Sequence, residues 1–366
     1  MDVKFILPRI TWLQGETLYG KVVIPSKEET VELCLYLYMN VVTHTNVEFV
    51  ATTDGSPIAT PYNTQTVSSV DVNRTQIIPL FCVKTTPLLV NTTSKEKEYA
   101  FSLPIPNYFP PSMFHAPAVI QFLQKSINIE HRLIAYLGRS GKMEPLSLDI
   151  LGQLPPPKSV SYEINTERTH IQVNLPVNST GINSSIEGEV KVIKQIKQSN
   201  IKAAFGFSIT DDNPTSPQPR PNSMVLISKD FEIKKPVVGK TYKISIKFHD
   251  YQRLFTMLIP KLLKCEGGIK LWVGGGLLTP HEYVFVPIST GVGSINELMN
   301  LLPGYASIID LKPLKSTLQL DSSVKPVSTP PVIMDQGMLT EFNEKIFKKQ
   351  TGHYLSYKHD ATIEFS

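Results

Sequence analysis

The residues that could carry out catalysis or hold a metal are scattered through this sequence of 366 residues. Its eight histidines form no His-x-x-x-His or His-Glu-x-x-His pattern, and its three cysteines form no Cys-x-x-Cys pair, so the usual spacings of zinc ligands are lacking. Ser245 lies near His249 and Asp250, but neighbours along a strand point to opposite faces and do not form a triad. The sequence therefore predicts a protein that is not an enzyme, with no catalytic, metal-binding or cofactor-binding residue.

Gly274, Gly275 and Gly276 are the closest approach to a phosphate-binding loop. Leu277 follows them, whereas a phosphate loop requires a Lys and a Ser or Thr at the start of a helix. A glycine-rich turn between two strands accounts for the same residues. The triplet therefore predicts a turn rather than a nucleotide site.

Positive charge is concentrated in the second half of the chain. The formal net charge is +4, and residues 158–290 contain 17 Lys and Arg against 11 Asp and Glu. A run of lysines in this region indicates either contact with an anionic membrane or acidic peptide, or a solvated strand face that discourages edge pairing. Nucleic-acid binding is not expected, because Arg-rich runs interleaved with aromatic residues are lacking. The run consists of Lys191, Lys194, Lys197 and Lys202.

The cysteines and the N-terminal residues indicate the cellular compartment in which the protein is found. Cys34, Cys82 and Cys265 are isolated in apolar stretches, which predicts buried free thiols in a reducing environment. A strand pattern begins at Val3, so we expect no signal peptide and a cytoplasmic protein. Four Asn-x-Ser/Thr patterns, which match the glycosylation acceptor, instead favour an extracellular location. They begin at Asn73, Asn91, Asn178 and Asn183.

Alternating apolar and polar residues predict β-strands through most of the chain, and part of the pattern occurs twice. Residues 18–22 read Leu-Tyr-Gly-Lys-Val, and residues 186–190 read Ile-Glu-Gly-Glu-Val, 168 positions later. A second landmark, Lys-x-Tyr, ends at Tyr99 in the first copy and at Tyr242 in the second. Repeated landmarks in the same order predict two related β-domains in tandem.

A run of prolines divides the chain between the two copies. Leu154, Pro155, Pro156 and Pro157 predict a stiff, extended interdomain hinge. We therefore expect four parts. They are an N-terminal β-sandwich at residues 1–154, the proline hinge at 155–157, a C-terminal β-sandwich at 158–290, and a tail at 291–366.

The tail changes from strand patterns to helix patterns. Ser294 and Glu297 form a capping box ahead of a short helix, and residues 322–331 have the composition of a polar tether. Residues 338–349 have helical spacing with one apolar side, which could dock on the β-domains, on a membrane or on a partner. The apolar positions are Met338, Leu339, Phe342 and Ile346.

Several segments resemble the arrestin superfamily, which includes visual and β-arrestins, α-arrestins and the arrestin-like retromer subunit. Residues 13–22 are similar to the Gly-Glu-x-Leu-x-Gly-x-Val segment near the start of arrestin N-domains. Residues 99–123 resemble the family's aromatic strand, Leu-Pro, Pro-Ser-aromatic and Ile-x-Tyr-x-Leu order, although Met113 and Phe122 stand where Phe and Tyr are usual. Residues 286–288 resemble the strand that closes the arrestin C-domain.

The resemblance implies two tandem immunoglobulin-like β-sandwich domains and a short tail with one or two helices. It also implies a non-enzymatic adaptor or scaffold in membrane-protein trafficking, endocytosis or receptor regulation, located in the cytoplasm and peripherally on endosomal or plasma membranes. Its partners would be membrane-protein tails or coat components, with possible contact with anionic membranes.

Two alternatives stay open: a retromer-type coat subunit in endosomal sorting, and an extracellular two-domain adhesin. The sequence has no Pro-Pro-x-Tyr motif, so recruitment of ubiquitin ligases through WW domains is not expected. Only Lys4 and Arg9 lie where visual and β-arrestins carry their phosphate-sensing lysine pair.

Overall fold

The computed structural model describes residues 3–51, 66–120, 123–181, 184–195, 200–210, 224–226, 228, 231–247, 255–260, 262–273, 282–294, 318–329 and 333–334. Every regular element in this part of the chain is a β-strand, as the period-two alternation predicts. The prediction of an all-β protein is therefore confirmed for these residues. The expected helices after Ser294 and at residues 338–349 lie outside them, as do Lys197 and the triplet at 274–276.

The strands of the first half are β1 (Lys4–Leu7), β2 (Thr11–Leu13), β3 (Thr17–Pro25), β4 (Val31–Ala51), β5 (Thr66–Thr85), β6 (Leu88–Thr92), β7 (Glu96–Pro104), β8 (Met113–Ile120), β9 (Leu123–Leu137) and β10 (Met143–Leu151). Those of the second half are β11 (Val160–Asn165), β12 (Thr169–Leu175), β13 (Ser179–Gly181), β14 (Ser185–Gln195), β15 (Ile201–Thr210), β16 (Met224–Leu226), β17 (Phe231–Ile233), β18 (Thr241–Lys247), β19 (Met257–Ile259), β20 (Leu263–Val273), β21 (Glu282–Pro287) and β22 (Ser289–Gly291). The tail adds β23 (Leu318–Leu320) and β24 (Ile333–Met334).

Four sheets are formed by the described strands. A five-stranded sheet has the order β23-β1-β3-β7-β6, and a four-stranded sheet has the order β11-β12-β14-β18. The main path of a thirteen-stranded sheet is β19-β20-β15-β8-β9-β4-β5-β24. β13 and β22 form a two-stranded parallel sheet.

The large sheet extends across both halves of the chain. β8 connects the halves, because Val119 pairs in parallel with Thr210 of β15. β4 pairs with β5 from Leu33 to Ala51, whereas its pairing with β9 ends at Thr43. Beyond β9, β4 and β5 therefore continue as a two-stranded ribbon in the described structure.

A single hydrophobic cluster fills the space between the sheets. It includes Phe5 and Phe101 from the five-stranded sheet, Leu35 from the large sheet, and Ile171 and Val190 from the four-stranded sheet. Each of these side chains is at most 2% exposed. The architecture is thus β-sandwich-like, with sheets that bury one face against each other.

The repeated glycine of the first copy is required by close packing between strands. Gly20 of β3 lies beside Leu7 of β1, and a Cβ at Gly20 would be 2.4 Å from Leu7 Cδ2 and 2.7 Å from the carbonyl oxygen of Ile6. Real side chains do not approach this closely, so only glycine leaves room for the buried leucine.

The repeated glycine of the second copy has the same surroundings. A Cβ at Gly188 of β14 would be 2.5 Å from Leu175 Cδ2 and 2.9 Å from the carbonyl oxygen of Asn174, both on β12. The two copies therefore share a packing arrangement as well as a residue pattern.

The tyrosine landmarks also correspond. Val22 pairs with Tyr99, and Val190 pairs with Tyr242, so β1, β3 and β7 match β12, β14 and β18 in order and register. The strand beside β12 is β11, which precedes it in the chain, whereas the strand beside β1 is β23 from the tail. The edge strand beside β1 thus comes from the tail, whereas the edge strand beside β12 comes from the second half itself.

We expect Gly188→Ala to lower the free energy of unfolding by about 1–3 kcal/mol, because the added methyl group overlaps Leu175 and a backbone oxygen. Denaturant unfolding followed by fluorescence measures this change. Glu189→Ala, on the exposed side of the same strand, is the matched control and should cost less than about 0.5 kcal/mol. Equal stability of the two variants would contradict the packing at Gly188.

Candidate functional site

The predicted hinge is anchored at its first residues. Gln153 pairs in parallel with Val292, the Leu154 amide donates to the Val292 carbonyl at 3.1 Å, and the Val292 amide donates to the Gly152 carbonyl at 2.8 Å. A Cβ at Gly291 would lie 2.5 Å from the Leu154 nitrogen, so glycine is needed where the two backbones meet. The start of the hinge is therefore held against the end of the second half.

The hinge is also anchored where it ends. The Lys158 amide donates to Asn178 Oδ1 at 3.0 Å, and the Asn178 amide donates to the Lys158 carbonyl at 2.9 Å. Between the anchors, Pro155 is half-buried, and Pro156 and Pro157 are exposed. The proline run at residues 155–157 therefore connects the two anchored ends.

A cleft of about 350 Å³ borders the hinge. Gln14 crosses its base, since its side-chain amide donates to the Phe109 carbonyl and its Oε1 accepts the Gln153 amide at 2.9 Å. Neutral polar groups and apolar side chains, including the half-exposed Tyr108 and Leu258, line the cleft. Such a lining suits the backbone and apolar side chains of a peptide better than a charged metabolite.

The tail forms a second candidate site on the five-stranded sheet, which we call the β1 edge. β23 pairs in parallel with β1, with Phe5 opposite Leu318 and Leu7 opposite Leu320. The Asp321 amide then donates to the Leu7 carbonyl at 2.9 Å. Backbone groups that would otherwise be exposed along β1 are thus paired with an extended segment of the same chain.

The residues after β23 continue along the first half. The Val327 amide donates to Ser102 Oγ at 2.9 Å, and Thr329 Oγ1 donates to the Ser102 carbonyl. Val324 is 7% exposed. Residues 322–329, which belong to the predicted polar tether, contain no strand or helix and are mostly exposed, but these contacts hold them along the first half. The alternation of Leu318 and Leu320 was the signal for β23, but a stretch this short does not identify its partner strand.

A buried Ser–His pair lies between β9, β10 and the connection before β8. Ser112 Oγ and His131 Nδ1 are 3.0 Å apart, and Ser112 Oγ also accepts the Ile150 amide at 2.9 Å. Both side chains are at most 1% exposed. A pair closed to solvent cannot meet a substrate, so its contribution is to tie three segments together.

Burial lowers the pKa of His131 to about 3, and the Pro110 carbonyl only partly opposes this shift. The imidazole is therefore neutral in the folded protein at neutral pH. Its Nε2 has no hydrogen-bond partner among the described residues. A proton added to this ring would be a buried charge with little compensation.

The three described lysines of the predicted basic run do not all lie on one surface. Lys191 and Lys194 lie exposed on β14, and Lys191 shares its face with the acidic Glu187 and Glu189. Lys202 lies on β15 in the large sheet, 4.0 Å from Glu232. A face with charges of both signs matches the solvated-face interpretation more closely than an anion-binding patch.

Models of known protein families give no match to this chain, and no curated protein matches it. In the described part of the chain, no group of three or more His, Cys, Asp or Glu side chains is placed to hold a metal ion. The described residues also include no helix with the length and apolarity to cross a membrane.

Stability should fall on acidification because of His131. In the unfolded chain His131 takes up a proton near pH 6.5, whereas in the folded chain it does so only near pH 3. The contribution of His131 to folding stability is therefore fully present above about pH 6.5 and is lost progressively as the pH falls below it. We expect a loss of about 1.4 kcal/mol between about pH 7.5 and about pH 5.5 from this residue. Denaturant unfolding at both values measures the loss.

His131→Asn provides the comparison, because an amide oxygen can accept from Ser112 but does not titrate in this range. The other histidines stay in place, so the difference between the two proteins isolates His131. An identical pH dependence in both would show that His131 does not couple folding to protons.

Proposed function

We propose that this protein is a non-enzymatic adaptor of arrestin type, with two tandem immunoglobulin-like β-sandwiches joined by the prolines at 155–157. In this proposal it binds extended segments of membrane-protein tails or coat components by adding them as a strand at the β1 edge. The observation that carries the proposal is that β23, from the tail, fills this edge, whereas β11 fills the equivalent edge of the second half.

The hold of β23 on the β1 edge is limited, which favours exchange. Pairing covers three residues, from Leu318 to Leu320, and Leu320 is 58% exposed. Strand addition derives its affinity from backbone hydrogen bonds, and these are available to any extended peptide. A partner segment with better side-chain contacts could therefore replace β23.

A coat subunit of retromer type is the second candidate function. The ribbon formed by β4 and β5 beyond Thr43 favours it, because no other described strand pairs with the ribbon there and a two-stranded ribbon is stabilised by packing on a partner. Recovery of the native protein in a stoichiometric coat complex would support this alternative, and transient partners would support the adaptor. We place either form in the cytoplasm, peripherally on endosomal or plasma membrane.

Weakening β23 should open the β1 edge to added peptide. Gln319→Pro removes a backbone donor from the middle of β23. We expect the full-length variant to bind a fluorescent peptide comprising residues 315–325 of this chain at least about tenfold more tightly than the unsubstituted protein, because the competing segment no longer occupies the edge. Fluorescence anisotropy measures both affinities.

Lys325→Ala serves as a control, since Lys325 is exposed and lies outside β23. A second control peptide carries proline at the position of Gln319 and should not bind. Equal, weak binding by the unsubstituted protein and Gln319→Pro would argue against strand exchange at this edge.

Contact of the exposed lysines of β14 with anionic membranes is the alternative to the solvated-face interpretation, and it is tested separately. If Lys191 and Lys194 contribute, binding to phosphatidylserine vesicles should weaken as salt rises from about 0.05 M to about 0.5 M, because exposed charges are screened. A flotation assay compares the unsubstituted protein with the double variant Lys191→Glu, Lys194→Glu. Lys243→Glu on β18 is a single-site control on the same sheet. Vesicle binding that changes neither with salt nor with the substitutions would show that these lysines do not contribute to it.

A further inference from the structure

Cys34 and Cys82 lie side by side in the large sheet, on the neighbouring strands β4 and β5. In the register of these strands Cys34 is opposite Lys84 and Cys82 is opposite Tyr36, so the two cysteines are diagonal neighbours. A hydrogen bond joins their thiol groups. The fold therefore brings together two soft metal ligands that are far apart in the sequence.

Both cysteines belong to a second hydrophobic cluster, which we call the outer cluster. Its members on β4 alternate with the leucines of the main cluster, so they point to the other face of the sheet. Each member is at most 1% exposed, and the two thiols therefore lie among aromatic and aliphatic side chains rather than in water. The full set is Cys34, Tyr36, Tyr38, Cys82 and Ile134.

The diagonal placement of the two cysteines is unfavourable for a disulfide. Diagonal neighbours in an antiparallel pair have Cα atoms about 7–8 Å apart. A disulfide requires Cα atoms closer than about 7 Å, so its formation would require β4 and β5 to move. Bonds from a metal ion to thiolates are about 2.3 Å long, so an ion can lie between two sulfurs that are too far apart to bond to each other. The geometry thus favours a bridging metal ion.

The ligands and their surroundings select the kind of ion. Zn²⁺ takes four ligands, and among the described residues no third His, Cys, Asp or Glu is placed to complete such a set. Cu(I) is a soft ion that prefers sulfur and accepts two ligands in a line. Tyr36 and Tyr38 pack in the same cluster, with stacked rings whose centroids are 5.4 Å apart. An apolar shell of this kind limits the access of water to a bound metal ion.

Charged side chains border the two cysteines. Lys84 lies opposite Cys34, and the carboxylate of Glu32 is 3.7 Å from the Lys84 ammonium. The hydrogen bond with Cys82 and burial raise the pKa of the Cys34 thiol, whereas the charge of Lys84 opposes this shift. A cation bound between the sulfurs would reverse the balance, because a coordinated thiol loses its proton.

We propose that Cys34 and Cys82 bind one Cu(I) ion in a two-coordinate dithiolate site within the outer cluster. On binding, both S–H bonds break, two S–Cu bonds form, and two protons pass to the solvent. The copper stays Cu(I), so no oxidant or reductant is consumed. The complex carries one negative charge, which Lys84 partly offsets. This inference does not depend on peptide exchange at the β1 edge.

The third cysteine supplies a matched control, because Cys265 lies on β20 in the main cluster. The full-length protein is titrated into the coloured Cu(I) complex of bicinchoninate, without oxygen and with ascorbate present. Loss of colour measures the transfer of Cu(I) to the protein. We expect the unsubstituted protein and Cys265→Ser to take up one Cu(I) per chain with equal affinity.

We expect Cys34→Ser and Cys82→Ser each to weaken Cu(I) binding by at least about a hundredfold, because losing a ligand should cost at least as much as losing an outer-shell group. Circular dichroism checks that each variant is folded. Full binding by either of these variants would overturn the proposal. An equal loss of binding in Cys265→Ser would also overturn it, since the site would then not be specific to the outer cluster.

X-ray absorption at the copper edge gives a second measurement, which requires no variant. The unsubstituted protein loaded with Cu(I) should show a first coordination shell of two sulfur atoms. A shell of nitrogen or oxygen atoms, or one of three or more sulfur atoms, would refute the proposal. Failure of the unsubstituted protein to take Cu(I) from bicinchoninate would refute it as well.

Discussion

The backbone of β1 needs a hydrogen-bonding partner on its outer side, and much of the structure depends on how that need is met. Phe5 and Leu7 are buried in the main cluster, so β1 cannot move away from the sheet to reach water. Unpaired backbone groups beside a buried strand cost free energy and invite other strands. β23 meets the need, and its position carries the tail past Ser102 to β24 and the edge of β5.

The two halves are joined by backbone contacts as well as by the proline run. Val119 pairs with Thr210, Gln153 pairs with Val292, and β13 pairs with β22. Each contact involves few residues, but the Gly291 position leaves no space between the backbones that meet there. Motion of one half against the other would therefore break several hydrogen bonds together. Even a small rotation about the prolines would thus cost free energy.

Local patterns predicted most strands of the two halves and the repeated glycine, but they predicted neither the tail strands β23 and β24 nor their partners. Gly20 and Gly188 could be matched from sequence because the same close packing selects glycine in both copies. The pairing of Leu318 with Phe5 is a long-range choice that depends on which sheet edge is open. The polar segment around Thr329 has no periodic apolar pattern, because it is held in place by Ser102 on a distant strand and not by a buried face of its own. The Ser112–His131 pair was missed because its members are far apart and lack a motif.

The pairing of β1 with β23 also has a consequence in time. Ribosomes add about 5–20 residues per second, so Leu7 leaves the exit tunnel roughly 15–60 seconds before Leu318 leaves it. During that interval the outer edge of β1 in the nascent N-terminal sheet is unpaired, and strands of neighbouring polypeptides can add to it. Newly made chains should therefore rely on a holdase, or on a temporary guest strand, until synthesis is almost finished.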